Sequence, residues 1–196
     1  MVISRYCAKI GVEQLTVFAF STENWKRPGD EVDGIMNLLR RYLKDCIAQL
    51  AAENIRLRFL GDIDVLPADI KELIEQNRRI SDKCDGIIVN VCVNYGGRLD
   101  IVRAAQKLAQ KVASGELEPS EISEEMISEN LWTKGLPDPD LLIRTGAESR
   151  ISNFLLWQSA YSELYFTDTL FPDFSPEKLD EAIDWFSGRK RRFGGV

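Results

Sequence analysis

The sequence predicts an α/β fold, a central and mostly parallel sheet flanked by helices. Three observations predict it. Short apolar runs rich in β-formers alternate with longer stretches of helical periodicity. The run at 87–93 is almost continuously apolar, as expected of a strand buried on both faces. The helical stretches carry single apolar stripes, so each has one face to bury.

The elements follow in order. Residues 6–11 read as the end of a helix, with Gly11 as its stop. Residues 14–20 (QLTVFAF) read as a buried strand, and 21–30 as a polar loop broken by Pro28 and Gly29. Val32, Ile35, Met36, Leu39, Tyr42, Leu43, Cys46, Ile47 and Leu50 recur at three- and four-residue steps, marking one long helix over 31–54. Residues 55–60 form a strand. Pro67 opens a helix that runs to about residue 83. The strand at 87–93 ends in Asn94-Tyr95-Gly96-Gly97, and 98–113 is helical again. After a turn at 115–119 come a short helix over 123–131, a strand at 141–144, short apolar pieces at 154–157 and 163–166, and a last amphipathic helix over 176–191. There is no internal repeat and no linker, so one domain is expected over 1–196.

Composition narrows the function. At 196 residues and 44% hydrophobic, the chain can bury a core. No apolar run approaches a membrane span and the first residues are not a signal peptide, so a soluble, cytoplasmic protein is expected. A net charge of −6 argues against general nucleic-acid binding. With no histidine in the sequence, histidine-based catalysis is excluded. Cys7, Cys46, Cys84 and Cys92 lack metal-binding spacing and read as reduced core residues. There is no DDxxD, Walker A or GxGxxG motif.

Two loops directly follow strands, where ligands of open α/β sheets bind. The first, Ser21-Thr22-Glu23-Asn24-Trp25-Lys26-Arg27, gathers hydroxyls, a carboxylate, an amide, an indole and two cations. The competing reading is a polar surface loop, but an indole there calls for something to cover. The second runs from Arg144 to Asn153. Arg144 and Arg150 could clamp a diphosphate through bidentate contacts, and Gly146 would let the backbone approach. The competing reading pairs Arg144 or Arg150 with Glu148, Asp138 or Asp140. Glu163 is a carboxylate in an apolar stretch; by sequence alone a salt bridge to an arginine is the simpler reading, and one carboxylate makes a poor magnesium site by itself. Asn94-Tyr95-Gly96-Gly97-Arg98 reads as a strand-to-helix turn. The end of the chain is basic, with Phe193 and two glycines interrupting the charge.

Together, FAFSTENWKRP, VNYGGRLDIVRAA, PDLLIRTGAESRISNFLLWQSAYSELYFTD and RRFGG resemble the signatures of the cis-prenyltransferase family, in family order, from Phe18 to Gly195. The resemblance implies an undecaprenyl diphosphate synthase-like fold with a deep apolar tunnel, and a homodimer. Ile35, Met36, Leu39 and Leu43 then become candidates for the tunnel wall, as does the strand at 87–93. It implies that Arg144, Arg150, Ile151 and Ser152 hold isopentenyl diphosphate. Ser21, Thr22, Glu23, Trp25 and Arg27 border and position the substrates. Glu163 helps to hold Mg²⁺, and Arg192 and Gly194 reach the active site across the dimer. Asn24 matches the residue named as proton acceptor in the family. An amide has almost no basicity near neutral pH, so Asn24 is expected to orient a substrate while the leaving diphosphate or a carboxylate takes the proton.

The implied activity is cis-elongation of an allylic diphosphate, such as farnesyl diphosphate, by isopentenyl diphosphate. The implied product is a polyprenyl, specifically undecaprenyl, diphosphate serving as cell-wall lipid carrier, with peripheral membrane contact for its release. The sequence departs from the pattern in two places. The family's opening segment, with a first strand, helix and catalytic aspartate loop, has no counterpart, so Met1 is expected to be an internal start and the chain inactive by itself. Ser149 stands where many members have histidine. The alternatives are a non-catalytic partner subunit of the same fold, an inactive fragment, or a phosphate-binding regulatory module.

Overall fold

The computed structural model describes residues 2–189. The chain divides into two compact units, one over Ile3–Lys134 and one from Gly135 onward.

The first unit contains α1 (Val2–Lys9), β1 (Gln14–Ser21), a 3₁₀ turn (Thr22–Lys26), α2 (Gly29–Leu50), β2 (Arg56–Leu60), α3 (Ala68–Ser81), β3 (Ile88–Tyr95), α4 (Gly97–Ala113) and the short α5 (Glu124–Ser128). β3 is the middle of a three-stranded parallel sheet, in the order β1-β3-β2. Val91 lies between Val17 and Phe59 in register. Every β3 residue after Ile88 is buried, which is why its sequence shows no polar alternation. The β1–β3 register shifts between Phe18 and Ser21, just before the chain leaves the sheet.

The α2 stripe packs as its spacing predicts. Val32, Met36, Leu39, Leu43, Cys46 and Leu50 are buried, and Leu43 and Leu50 are fully so. Ile35 is half-buried and Leu38 is 62% exposed. α3 faces α2 through Ile70 and Ile74. Asn77, also fully buried, ties the two helices by donating to the Leu43 and Leu73 carbonyls at 3.0 and 2.8 Å. The four cysteines are buried and none is in a disulfide. Burial pushes the Cys7 thiol up to about 11 and raises Cys92 further.

The second unit contains β4 (Leu141–Arg144), β5 (Glu163–Phe166) and α6 (Pro176–Ser187). β4 and β5 pair in parallel, Leu141 with Glu163 and Arg144 with Phe166. Of the two short apolar pieces, 163–166 is a strand, whereas 154–157 turns, with Leu155 at φ +43°. Apolar composition there reflects burial of Leu155, 3% exposed, and not strand pairing. Among the described residues no helix is long and apolar enough to cross a membrane.

Candidate active site

In the first unit the carboxyl ends of three parallel strands meet. β1 runs into the 3₁₀ turn, where Asn24 Oδ1 accepts the Ser21 backbone N–H at 2.8 Å. Thr22 donates its hydroxyl to the Glu23 carboxylate at 3.2 Å. Trp25 sets its ring edge-on against the buried Phe20, centroids 5.1 Å apart, and remains 40% exposed. Its indole N–H donates to Asn94 Oδ1 at the end of β3, at 2.8 Å. Arg27 pairs with Glu31 at 3.5 Å on the surface.

β2 and β3 are held close at the same end. Gly61 has φ +125°, and a Cβ there would lie 2.1 Å from the Val93 carbonyl oxygen. Only glycine fits both demands. Asp62 N–H then donates to the Asn94 carbonyl at 3.2 Å, and Asn94 Nδ2 donates back to the Asp62 carbonyl at 2.8 Å. Behind this rim the buried Asp100 accepts from Trp132 N–H and from the Tyr95 hydroxyl, at 2.9 and 3.3 Å.

In the second unit Arg144 ends β4. Its Nε–H is buried and has no hydrogen-bond partner among the described residues. A buried guanidinium donor left unsatisfied is costly and well disposed to an anion. The backbone that follows is unusual. Gly146, Ala147, Ser152, Asn153 and Leu155 all have positive φ. Strained backbone of this kind concentrates where a ligand is cradled. Gly146 and Ala147 donate to the Thr169 and Thr167 carbonyls at 2.9 and 3.2 Å, which fixes the loop against the chain beyond β5. Ile151 is half-buried, and its carbonyl accepts the Phe154 N–H at 3.0 Å. Arg150 is ion-paired to Glu148 at 2.6 Å, the surface pairing that composition alone suggested.

Glu163 begins β5. Side chains alternate along a strand, so the β4–β5 register puts Glu163 on the face of Leu141 and Ile143, and Arg144 on the face of Leu142, Leu164 and Phe166. Glu163 is paired with Arg189 at 3.2 Å, and Arg189 lies over the Trp185 ring. This, too, is the salt bridge its apolar setting called for. Among the described residues no cluster of three acidic or cysteine side chains could enclose a metal. The donor chemistry at Glu163 is one hard carboxylate, which suits a magnesium ion completed by substrate phosphates and water.

A family profile described as putative undecaprenyl diphosphate synthase matches residues 1–194. The chain belongs to that family. An isoprenyl transferase of Prochlorococcus marinus is 50% identical over 192 residues, covering 98% of this chain and 72% of that one. Among solved structures, lavandulyl diphosphate synthase from Lavandula x intermedia, in complex with dimethylallyl diphosphate, superposes with a TM-score of 0.94 at 38% identity. The match covers 98% of this chain and 83% of that one. A probable undecaprenyl diphosphate synthase from Campylobacter jejuni gives 0.88 at 39% identity, over 98% and 88% of the two chains. The α/β fold with parallel sheets is shared with these neighbours, and the chain is a prenyltransferase of this family.

Eight of the residues singled out from sequence therefore sit at the ends of two strands or in the structured loops that follow: Ser21 ends β1 and Thr22, Glu23, Asn24 and Trp25 follow it, while Arg144 ends β4 and Ile151 and Ser152 lie in the loop beyond. Arg27 and Arg150 are exposed and surface-paired, and Glu163 is engaged by Arg189. Arg192 and Gly194 lie outside the described residues. Met36, Leu39 and Leu43, candidates for a tunnel wall, are packed in the core at 3, 7 and 0% exposure. Sequence reading missed the roles of Asn94, Asp62, Asp100 and Arg189. Only Asn94 carried a signal: asparagine at a strand end tolerates the left-handed conformation it adopts, φ +49°.

Proposed function

We propose that this chain elongates an allylic diphosphate with isopentenyl diphosphate in the cis configuration. The observation that carries the reading is the buried Nε–H of Arg144, without a hydrogen-bond partner among the described residues, at the head of a loop of left-handed backbone. That combination suits a diphosphate, whose oxygens accept guanidinium and amide N–H groups together. Arg144, Arg150, Ile151 and Ser152 would hold isopentenyl diphosphate. For Arg150 this means exchanging Glu148 for phosphate oxygens. Ser21, Thr22, Glu23, Trp25 and Arg27 would border the substrates. Asn24 would orient one of them, because its Oδ1 is already committed to the Ser21 N–H.

The chemistry is an alkylation. The C1–O bond of the allylic diphosphate breaks, and the terminal carbon of the isopentenyl double bond joins C1. A proton then leaves C2 to make the cis double bond. Arg144 and Arg150 fix the nucleophilic double bond in place, so the reacting carbons meet as an intramolecular pair would. The proton goes to the departing diphosphate or to a carboxylate, since no histidine exists to take it. Glu163, released from Arg189, would be one ligand of Mg²⁺. When bound, that ion stabilises charge on the leaving diphosphate. Each added isoprene unit is apolar and favours burial by about 0.8 kcal/mol per CH₂. An apolar tunnel beside α2 would supply it, and its depth would limit the product to undecaprenyl length, a cell-wall lipid carrier.

A homodimer is part of this reading. Tyr161, Leu164, Phe166, Leu170 and Phe171 of the second unit are 66, 38, 42, 59 and 66% exposed. Apolar side chains gathered on so short a stretch are what a partner surface covers.

The test is product analysis. The purified chain is incubated with Mg²⁺, labelled isopentenyl diphosphate and farnesyl diphosphate, alone and mixed with the Prochlorococcus marinus enzyme. Chain-extended products with Z double bonds from the chain itself carry the reading. Activity gained only in the mixture makes it a partner subunit. Absence of both turnover and isopentenyl diphosphate binding refutes it.

A further inference from the structure

The turn motif Asn94-Tyr95-Gly96-Gly97 plays no part in the reading above, yet its first residue links all three strand ends. Asn94 is 4% exposed. Its Oδ1 accepts the Trp25 indole N–H and its Nδ2 donates to the Asp62 carbonyl, both at 2.8 Å. It does so from φ +49°, a left-handed conformation that asparagine and glycine adopt and other residues rarely do. Gly61 is what brings the β2 end within reach, because any side chain there would strike the Val93 and Asn94 carbonyls. The buried amide is thus used at both ends, and it reaches the exposed 22–26 turn through the Trp25 ring. On its other side the ring is held by edge contact with Phe20.

We infer that Asn94 is a positioning residue: it latches Trp25, and through Trp25 sets the conformation of the 22–26 turn. The inference rests on the proposed function only for what the latch serves, which is a turn that borders substrate. The latch itself is a statement about two hydrogen bonds. It explains why an asparagine and not a glycine stands at this turn. Glycine would satisfy the backbone equally well but would leave the indole N–H and the Asp62 carbonyl without these partners.

The test separates these parts. Asn94→Gly keeps the backbone conformation and deletes only the amide; Trp25→Phe deletes the indole N–H and keeps an aromatic ring, although a smaller one. The Lys26–Arg27 bond reports the turn, since Lys26 is exposed and trypsin does not cut after Arg27, which precedes proline. Loss of one neutral hydrogen bond predicts that Asn94→Gly cuts about two- to tenfold faster at Lys26. Cutting at Lys111, on the exposed face of α4, should stay unchanged, which rules out global loosening. In the Trp25→Phe background Asn94→Gly should add nothing, and the tryptophan emission shift it causes in the parent should vanish. Equal cutting of Asn94→Gly and parent overturns the latch, as does full additivity of the two changes. Protection of Lys26 by isopentenyl and farnesyl diphosphates in the parent is a separate readout. If the latch effect holds but that protection is absent, the substrate-bordering role of Trp25 fails and the latch stands.

Discussion

Gly61→Ala should be among the most destabilising single-methyl additions this protein can receive. The added Cβ would sit 2.1 Å from the Val93 carbonyl oxygen and 3.0 Å from that of Asn94. Both atoms are backbone, so no flexible side chain can move aside. The φ of +125° is also outside the range alanine adopts with ease. Backbone strain of this kind costs about 1–3 kcal/mol. Forcing the strand ends apart adds about 1–3 kcal/mol of overpacking. The expected loss is therefore about 2–6 kcal/mol. Gly34 provides the contrast: it lies inside α2, and a Cβ there meets nothing within 4 Å. Gly34→Ala should stabilise by about 0.5–1 kcal/mol through helix propensity and a less flexible unfolded chain. Urea unfolding followed by far-UV circular dichroism measures both. If Gly61→Ala lies within about 0.5 kcal/mol of the parent, the range of an ordinary surface change, the close approach of β2 to β3 is wrong. The geometry that brings Asp62 to Asn94 is then wrong with it.

Two further predictions concern stability. Leu43→Ala, at a fully buried position of the α2 stripe, should cost about 2–5 kcal/mol in the same assay. Asp138 is exposed overall, but partial desolvation raises its carboxyl above its ordinary value, so the folded state holds that proton more tightly than the unfolded chain does. This contribution to stability is present below the ordinary carboxylate range and falls as pH rises through it. Asp138→Asn should remove that part of the slope, measured as the difference in unfolding midpoint between parent and variant across acidic pH. A slope identical in both proteins would contradict that desolvation.

Much of the fold was legible because its elements have strong periodicity or none at all. The α2 stripe declared its buried face, and the unbroken apolar run of β3 declared a central strand. What stayed hidden has physical causes. The apolar piece at 154–157 could not be assigned an element, because Leu155 is buried in a left-handed turn and composition does not encode φ. The 3₁₀ turn at 22–26 depends on a local bond from Ser21 N–H to Asn24 Oδ1 that only geometry reveals. At the site, residue chemistry pointed to both loops, and the ion-pair readings for Arg150 and Glu163 describe the contacts these residues make. The latch between Trp25 and Asn94 spans 69 positions and leaves no local trace.

The most direct test of the central claim is the affinity of isopentenyl diphosphate for the parent and for Arg144→Ala, by equilibrium dialysis with Arg40→Ala as control. Arg40 is already engaged by Asp69 on the surface of the first unit. Losing a charge-assisted donor should weaken binding by about 10- to 150-fold in Arg144→Ala, with Arg40→Ala unchanged. Parent-like affinity in Arg144→Ala would show that the β4 loop does not hold the diphosphate.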